Sequence, residues 1–102
     1  MNKVRVNIDI LPEKREEFIQ AIRSINEELI KEKGFKSSPL FQDIEDPNHF
    51  SLIQEWETQD NLDDYLRSEY FRVLMGTLKV LAKHSKIEYN LMSDQSGKKI
   101  LG

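Results

Sequence analysis

The sequence predicts one small α+β domain of the ferredoxin-like order strand, helix, strand, strand, helix, strand. Three observations predict it: an N-terminal segment of strictly alternating polarity, two segments with apolar residues at helical spacing, and a turn sequence between two short alternating runs. In this order both helices cover the same face of a four-stranded antiparallel sheet. With 102 residues, the chain has room for a single domain.

The first strand and the first helix have the clearest patterns. From Lys3 to Ile10, valine and isoleucine alternate with charged or amide side chains, which predicts a strand with one buried face. Pro12 stands where a helix can begin, and apolar residues then recur at three- and four-residue spacing up to Leu29. The first helix is therefore predicted from Pro12 to Lys33, where a glycine follows.

Two further strands and the turn between them are predicted next. The second strand lies between Leu40 and Glu45, because the following residues 46–48 are Asp, Pro and Asn, which favour a turn. The third strand directs Phe50 and Trp56 to one face and Ile53 to the other. Apolar residues on both faces indicate that the second face is covered too, and dimerisation through the sheet is the simplest cover.

The remaining chain is predicted to form a second helix, a last strand and a tail. Thr58 is a helix N-cap, Ser68 begins a new turn or a kink, and the apolar stripe continues toward Ala82. The last strand holds residues 87–91, with Leu91 and Met92 on opposite faces. Residues 93–102 are predicted to form a polar, mobile C-terminal tail, which leaves 1–92 as the domain.

Composition excludes several classes of function. The net charge is -3 and the longest basic run is a lysine pair, so nucleic-acid binding has no electrostatic basis. The absence of cysteine excludes disulfides, thiolate nucleophiles and cysteine-ligated metals. Neither a signal peptide nor a transmembrane segment is predicted, so we expect no membrane partner and a cytoplasmic location.

The segments Phe50–Thr58 and Leu62–Phe71 resemble the antibiotic-biosynthesis monooxygenase family. Members share a strand that ends near a tryptophan, a short helix, and a Leu-x-Ser-x-x-Phe step into a long helix. The resemblance implies a homodimeric αβ-barrel that holds a small aromatic ligand between sheet and helices. Its members include cofactor-independent oxygenases of phenolic polyketides, quinol oxidases and heme-degrading enzymes.

The resemblance also implies five site residues. Asn7 would hydrogen-bond the substrate oxygen, and Trp56 would stack on a flat ring or donate its indole N–H. Tyr65, which stands where many quinol-type members have a histidine, would donate to or accept from a developing oxyanion. Phe71 and Met75 would line the apolar wall of the pocket.

Each of these residues has a purely structural alternative. Trp56 suits a core position between sheet and helix, and Asn7 suits an ordinary hydrogen-bonded or solvated amide on a polar strand face. Tyr65 suits an amphipathic helix with its hydroxyl in water. Phe71 and Met75, at helical spacing, suit the core first.

No cofactor or metal is expected. The heme-degrading branch takes its iron ligand from a helical histidine whose position is matched here by Met75, so heme is disfavoured. His49 falls in the predicted hairpin turn and His84 just past the second helix, far apart and without a paired carboxylate at ligand spacing. Neither histidine is therefore predicted to be catalytic or to bind a metal.

Two functions remain open from the sequence. The first is a cofactor-independent monooxygenase acting on a quinol or other hydroxylated aromatic small molecule, as the resemblance implies. The alternative is a non-catalytic dimeric module of the same fold that binds a small ligand or serves in a stress response. The missing histidine at Tyr65 favours the alternative.

Overall fold

The computed structural model of the chain describes residues 2–89 and 97–102. The sheet is built from β1 (Lys3–Ile10), β2 (Phe35–Ser37), β3 (Leu40–Gln42), β4 (His49–Trp56), β5 (Ala82–Tyr89) and β6 (Lys98–Leu101). The helices are α1 (Arg15–Leu29), α2 (Gln59–Leu66) and α3 (Glu69–Leu81), and a short 3-10 turn (Pro12–Lys14) precedes α1. All pairings are antiparallel in the order β5-β1-β4-β3-β6, and β2 also pairs with β4.

The predicted ferredoxin-like α+β class is confirmed, although the sheet has six strands rather than four. The additional strands, β2 and β6, are three and four residues long, which is too short to show an alternating pattern in the sequence. Strand β6 lies within the segment predicted as a mobile tail, where Leu101 pairs with Leu40. The predicted strand residues Leu91 and Met92 lie outside the described part of the chain.

The helix boundaries follow from capping side chains and from one glycine. Helix α1 ends at Leu29, before the predicted Lys33, and the chain turns back into β2 through Gly34, whose φ of 83° suits glycine. The Thr58 hydroxyl accepts from the Asn61 N–H at 3.0 Å and caps α2. Ser68 accepts from a backbone N–H in the same way, which confirms the predicted break before α3.

The three helices pack on one face of the sheet and form the core with it. Strand β1 contributes four fully buried aliphatic side chains, and β4 contributes Phe50, Leu52 and Trp56. The helices bury a matching set: Phe18, Ile22, Ile25, Leu29, Leu62, Tyr65, Leu74, Leu78 and Leu81. Burial of each such side chain stabilises the fold by about 1.5–3 kcal/mol.

The opposite side, which we term the second face, carries the polar residues of β1 and their neighbours on β4 and β5. Arg5 pairs there with Ile53, and Asn7 pairs with Ser51. Ile53 is only 6% exposed and Ser51 only 1% in the single chain, so their burial does not require a second copy. Within the described residues, no helix is long and apolar enough to cross a membrane.

Candidate functional site

Four aromatic side chains, Phe35, Trp56, Tyr65 and Phe71, form a continuous cluster between the sheet and the helices. Trp56 faces the helices because it alternates in phase with Phe50 and Leu52 along β4. Helix α2 places the Tyr65 ring over Trp56, with centroids 4.9 Å apart and planes 28° apart. Phe71 meets Tyr65 edge to face at 5.4 Å, and Phe35 meets Trp56 at 5.5 Å. Three of the predicted site residues are thus in contact.

The Tyr65 hydroxyl is part of a buried hydrogen-bonded chain. It donates to Gln54 Oε1 at 2.6 Å, and Gln54 Nε2 donates to the Ser38 hydroxyl at 3.1 Å. Burial raises the pKa of Tyr65 well above its ordinary value, and the hydrogen bond to Gln54 lowers it by less. Because the side chain is 3% exposed, the alternative of a hydroxyl in water is wrong. Tyr65 is therefore a neutral donor and not a base.

The indole N–H of Trp56 is buried, and no residue in the described ranges accepts a hydrogen bond from it. An unsatisfied buried donor costs about 1–3 kcal/mol relative to a satisfied one. Such groups are rare in folded proteins, where most buried donors bond to protein, to an ordered water or to a ligand. Trp56 does occupy a core position between sheet and helix, as its structural alternative predicts. Core packing alone, however, does not explain why its buried N–H has no acceptor.

Asn7 lies on the second face, away from the aromatic cluster. Since Val6 and Ile8 face the helices, the intervening Asn7 must face away from them. Its Nδ2 donates to Glu88 Oε1 at 2.8 Å, and its Oδ1 accepts from the Ser51 hydroxyl at 2.8 Å. Asn7 thus bridges β1 to both neighbouring strands, and the fold does not bring it together with Trp56 and Tyr65.

A cleft of about 480 Å³ opens between α3 and β5, and we term it the α3–β5 cleft. Its lining residues are Met75, Gly76, Leu78, Lys79, Ala82, Lys83, His84 and Ser85. Met75 lies on α3 one helical turn after Phe71, which is the last residue of the aromatic cluster. The α3–β5 cleft is therefore next to the aromatic cluster along α3. The volume falls within the usual range for small-molecule sites.

Both histidines contact the carboxylate of Asp9. His49 Nδ1 lies 2.7 Å from Asp9 Oδ1, and His84 Nε2 lies 2.6 Å from Asp9 Oδ2. The sequence predicted no paired carboxylate at ligand spacing, and the fold nevertheless brings Asp9 into contact with both histidines. The reason is strand register, since Asp9 pairs with His49 on β4 and with His84 on β5. The ferredoxin-like order, which puts the first strand between the third and the last, was the signal that could have indicated this contact.

A β-bulge lies next to this contact. Asp9 is opposite His84 and Ile10 is opposite Ala82, so β5 has one additional residue, Lys83, at this point. Lys83 and His84 both line the α3–β5 cleft. Among residues 2–89 and 97–102, no group of three or more histidine or carboxylate side chains is arranged to hold a metal ion.

Comparison with known families and sequences gives a consistent picture. The antibiotic biosynthesis monooxygenase family model matches residues 1–76 of this chain. A curated, uncharacterised protein of Synechocystis is 28% identical over 92 residues, which cover 88% of this chain. The matched region spans 63% of that relative's own length.

Solved structures share the fold along most of the chain. A conserved protein of Methanosarcina mazei is 29% identical with a TM-score of 0.76, covering 84% of this chain and 86% of that one. A crystal structure of an antibiotic biosynthesis monooxygenase is 25% identical with a TM-score of 0.75, covering 90% and 98%. A protein of Pseudomonas aeruginosa is 23% identical with a TM-score of 0.71, covering 87% and 92%, and supports the fold alone.

Proposed function

This chain belongs to the antibiotic biosynthesis monooxygenase family, and on that premise we propose that it is a cofactor-independent monooxygenase acting on a quinol or another hydroxylated aromatic small molecule. The observation that carries the proposal is the buried Trp56 N–H, for which no described residue is an acceptor. An oxygen atom of a bound substrate, or dioxygen itself, would accept this hydrogen bond in a site that excludes water.

The protein needs to supply little chemistry of its own, because the aromatic substrate itself provides the electrons that reduce dioxygen. The site must bind an electron-rich phenol, favour its ionisation and keep water from the reactive intermediate. In this proposal the indole of Trp56 donates to the reacting oxygen, and neutral Tyr65 stacks against Trp56 and fixes its plane. Phe71 would supply the apolar wall beside Tyr65, and Met75, one helical turn later, lines the α3–β5 cleft.

The separation of Asn7 from the aromatic cluster changes the role that we propose for it. Its amide is already bonded on both sides, to Glu88 and to Ser51. We assign Asn7 a positioning role that holds β1 in register with β4 and β5.

The homodimer and the cytoplasmic location remain part of the proposal, and the absence of cysteine suits a reducing compartment.

Oxygen consumption with a panel of naphthoquinols and hydroxyanthrones tests the proposed function. Trp56→Phe keeps an aromatic ring and removes only the indole N–H. We expect this variant to stay folded and to lose tenfold or more of the oxygen uptake, because loss of one oxyanion donor costs up to about 10²–10³ in rate. Uptake equal to that of the wild type in Trp56→Phe would contradict the role of the N–H.

A non-catalytic ligand-binding module is the second candidate, and one specific observation favours it. The Trp56 ring is stacked on Tyr65, and the Tyr65 hydroxyl donates to Gln54. Both side chains therefore already have the contacts of ordinary core residues. Thermal shift separates the two candidates, because any ligand that binds the folded state raises Tm by mass action. A phenolic ligand that raises Tm without oxygen consumption supports the module, whereas turnover that depends on Trp56 excludes it.

A further inference from the structure

We propose that Phe35 is the gate of the aromatic cluster: its ring turns away from Trp56, and the hydroxylated ring of the ligand takes its place. The inference rests on the proposed function and names the residue that controls entry to the same site. Trp56 is only 3% exposed, and its indole N–H is buried. A ligand therefore reaches this N–H only when a neighbouring side chain moves.

Of the two described rings that pack against Trp56, Phe35 is the one that moves at lower cost. Tyr65 is itself 3% exposed, and its hydroxyl donates to Gln54 inside the core. Phe35 is only partly buried, at the margin of the core. Moving Tyr65 would leave the Gln54 oxygen without its donor, whereas moving Phe35 breaks apolar contacts alone.

Strand β2 holds Phe35 at an edge of the sheet where the pairing is interrupted. The strand has three residues and pairs with β4 alone among the described elements. Phe35 is opposite Trp56 and Ser37 is opposite Glu55, so Lys36 is an additional residue in β2, as in a β-bulge. A short strand at a sheet edge opens locally more readily than a long central strand. Strand β2 can therefore adjust to a new position of the Phe35 ring while the core stays in place.

The backbone next to Phe35 is anchored, which restricts the motion to the side chain. The Phe35 N–H donates to the carbonyl oxygen of Glu32 at 3.2 Å, and the Glu57 N–H donates to that of Gly34 at 2.7 Å. These bonds hold the start of β2 against the end of β4. Rotation about the Cα–Cβ bond of Phe35 is then sufficient to open the site.

The space that the Phe35 ring leaves fits one flat aromatic ring. Phe35 and Trp56 are directly opposite each other in antiparallel strands, so both side chains are on the helix-facing side. Their centroids are 5.5 Å apart and their planes 81° apart, an edge-to-face contact that another aromatic ring can reproduce. A phenol has the same ring with an added oxygen, and this oxygen is the acceptor that no described residue supplies to the Trp56 N–H. The gate therefore favours ligands with a hydroxyl group on a terminal ring.

The test is the rate at which the full-length protein binds para-nitrophenol without oxygen. Trp56 is the only tryptophan of the chain, so quenching of tryptophan fluorescence follows binding, and one indole N–H resonance reports on the site. A gate lowers the association rate in proportion to its open fraction, which is on the order of 0.1–10% for a minor state. We expect Phe35→Ala to raise the association rate constant by about tenfold or more, because its site is always open. The dissociation rate constant should change less, since the ligand leaves without a further motion of Phe35.

Matched variants separate a gate from a general loosening of the sheet edge. Phe41→Ala removes the same partly buried ring from β3, which also has three residues and pairs with β4. Since Leu40 faces the helices, Phe41 faces away from them, and we expect Phe41→Ala to keep the association rate of the wild type. Phe35→Leu keeps an apolar side chain without the ring and should give an intermediate rate. Circular dichroism confirms the fold of each variant.

The indole N–H resonance locates the bound probe. We expect it to move to lower field when the wild type binds para-nitrophenol, because a new hydrogen bond forms at Trp56. An unshifted resonance, equal association rates in Phe35→Ala and the wild type, or an equal increase in Phe41→Ala overturns the gate. Failure of the wild type to bind the probe overturns it as well, even if Phe35→Ala binds, because an engineered cavity then accounts for the binding.

The outcomes distinguish this inference from the proposed function. Oxygen uptake that depends on Trp56 in a protein without a gate overturns the inference and leaves the monooxygenase standing. Gated binding at Trp56 without oxygen uptake for any quinol supports the inference, removes the monooxygenase and leaves the ligand-binding module.

Discussion

Gln54 is the residue on which the polar chemistry of the interior depends. It is fully buried on the helix-facing side of β4, between apolar neighbours, and its amide oxygen and nitrogen are both used. The amide fixes the Tyr65 hydroxyl and thereby the plane of the ring that stacks on Trp56. A buried polar group of this kind is tolerated only when its partners are in place.

Removal of both partners should therefore cost less than the sum of the two single removals. Tyr65→Phe leaves Gln54 Oε1 without its donor, and we expect it to lower the free energy of unfolding by about 1–3 kcal/mol. The double variant with Gln54→Leu should lose less than the sum of the two single variants, because the Tyr65–Gln54 hydrogen bond is then lost only once, while the loss of the Gln54 donor to Ser38 is common to both Gln54 variants. Urea unfolding measures all four proteins. Strict additivity would show that the hydrogen bond is not coupled, and Tyr89→Phe, at an exposed tyrosine, serves as the control.

The raised pKa of Tyr65 also predicts a dependence of stability on pH. The ordinary pKa is 10.0, and burial raises the folded-state value above it. The folded state thus holds a proton that the unfolded state releases, so this contribution to stability is complete below pH 10 and is lost as pH rises toward the folded-state pKa. We expect the free energy of unfolding to fall less between about pH 8 and about pH 11 in Tyr65→Phe than in the wild type. Equal slopes in the two proteins would contradict this assignment.

Among the individual side chains, residue patterns predicted which face of an element a side chain occupies, and they missed the contacts between distant strands. The family resemblance, and not a local residue pattern, grouped Trp56, Tyr65 and Phe71 in one site, and the structure brings their rings into contact through α2 and the turn after it. The contacts of Asp9 with His49 and His84 depend on strand register, which residue patterns do not contain. Asn7 was correctly placed on the polar face of its strand, and this same alternation separates it from the aromatic cluster.

The two glycines of the helical layer have opposite roles, and alanine substitutions reveal them. Gly76→Ala should raise the free energy of unfolding by about 0.5–1 kcal/mol, because the helix gains propensity and the new Cβ meets nothing. Gly34→Ala should lower it, because φ is 83° there and the new Cβ would overlap the Asn61 side chain. Thermal unfolding measures both. A lower free energy of unfolding in Gly76→Ala would contradict this prediction and would show that the new Cβ does meet another atom.

Elements with many residues of one period were predictable, whereas the short strands β2 and β6 were missed, and β5 begins at Ala82 although the last strand was predicted only from residue 87. Strand β1 and helix α1 each present many residues of one period, and both were found close to their observed positions. The N-caps at Thr58 and Ser68 located the starts of α2 and α3 because their chemistry is local. Strands β2 and β6 have too few residues to show an alternating pattern in the sequence. They form because β2 pairs with β4 and β6 pairs with β3.

The second face suggests how two copies would meet. It carries both signs of charge, with Arg5 and Lys86 near Glu88 and Asp9, so the mixture favours a self-complementary contact. We expect light scattering to give twice the mass of the chain. Lys86→Glu, which places a second carboxylate beside Glu88, should weaken this dimer tenfold or more, about 1.4 kcal/mol or above. Lys31→Glu, after the end of α1, makes the same charge change elsewhere and should have no effect; a monomeric wild type would contradict the proposed dimer.

The central place of β1 in the sheet has a consequence for the order in which the protein folds. Its partners are β4 and β5, and the Asn7–Glu88 bond joins residues 81 positions apart. Contacts so distant in sequence slow folding, because a long loop must close before any pairing stabilises it. During synthesis β1 emerges before either partner, with its valine and isoleucine side chains exposed. The charges that alternate with them at Lys3, Arg5 and Asp9 then act as gatekeepers against aggregation of the nascent chain.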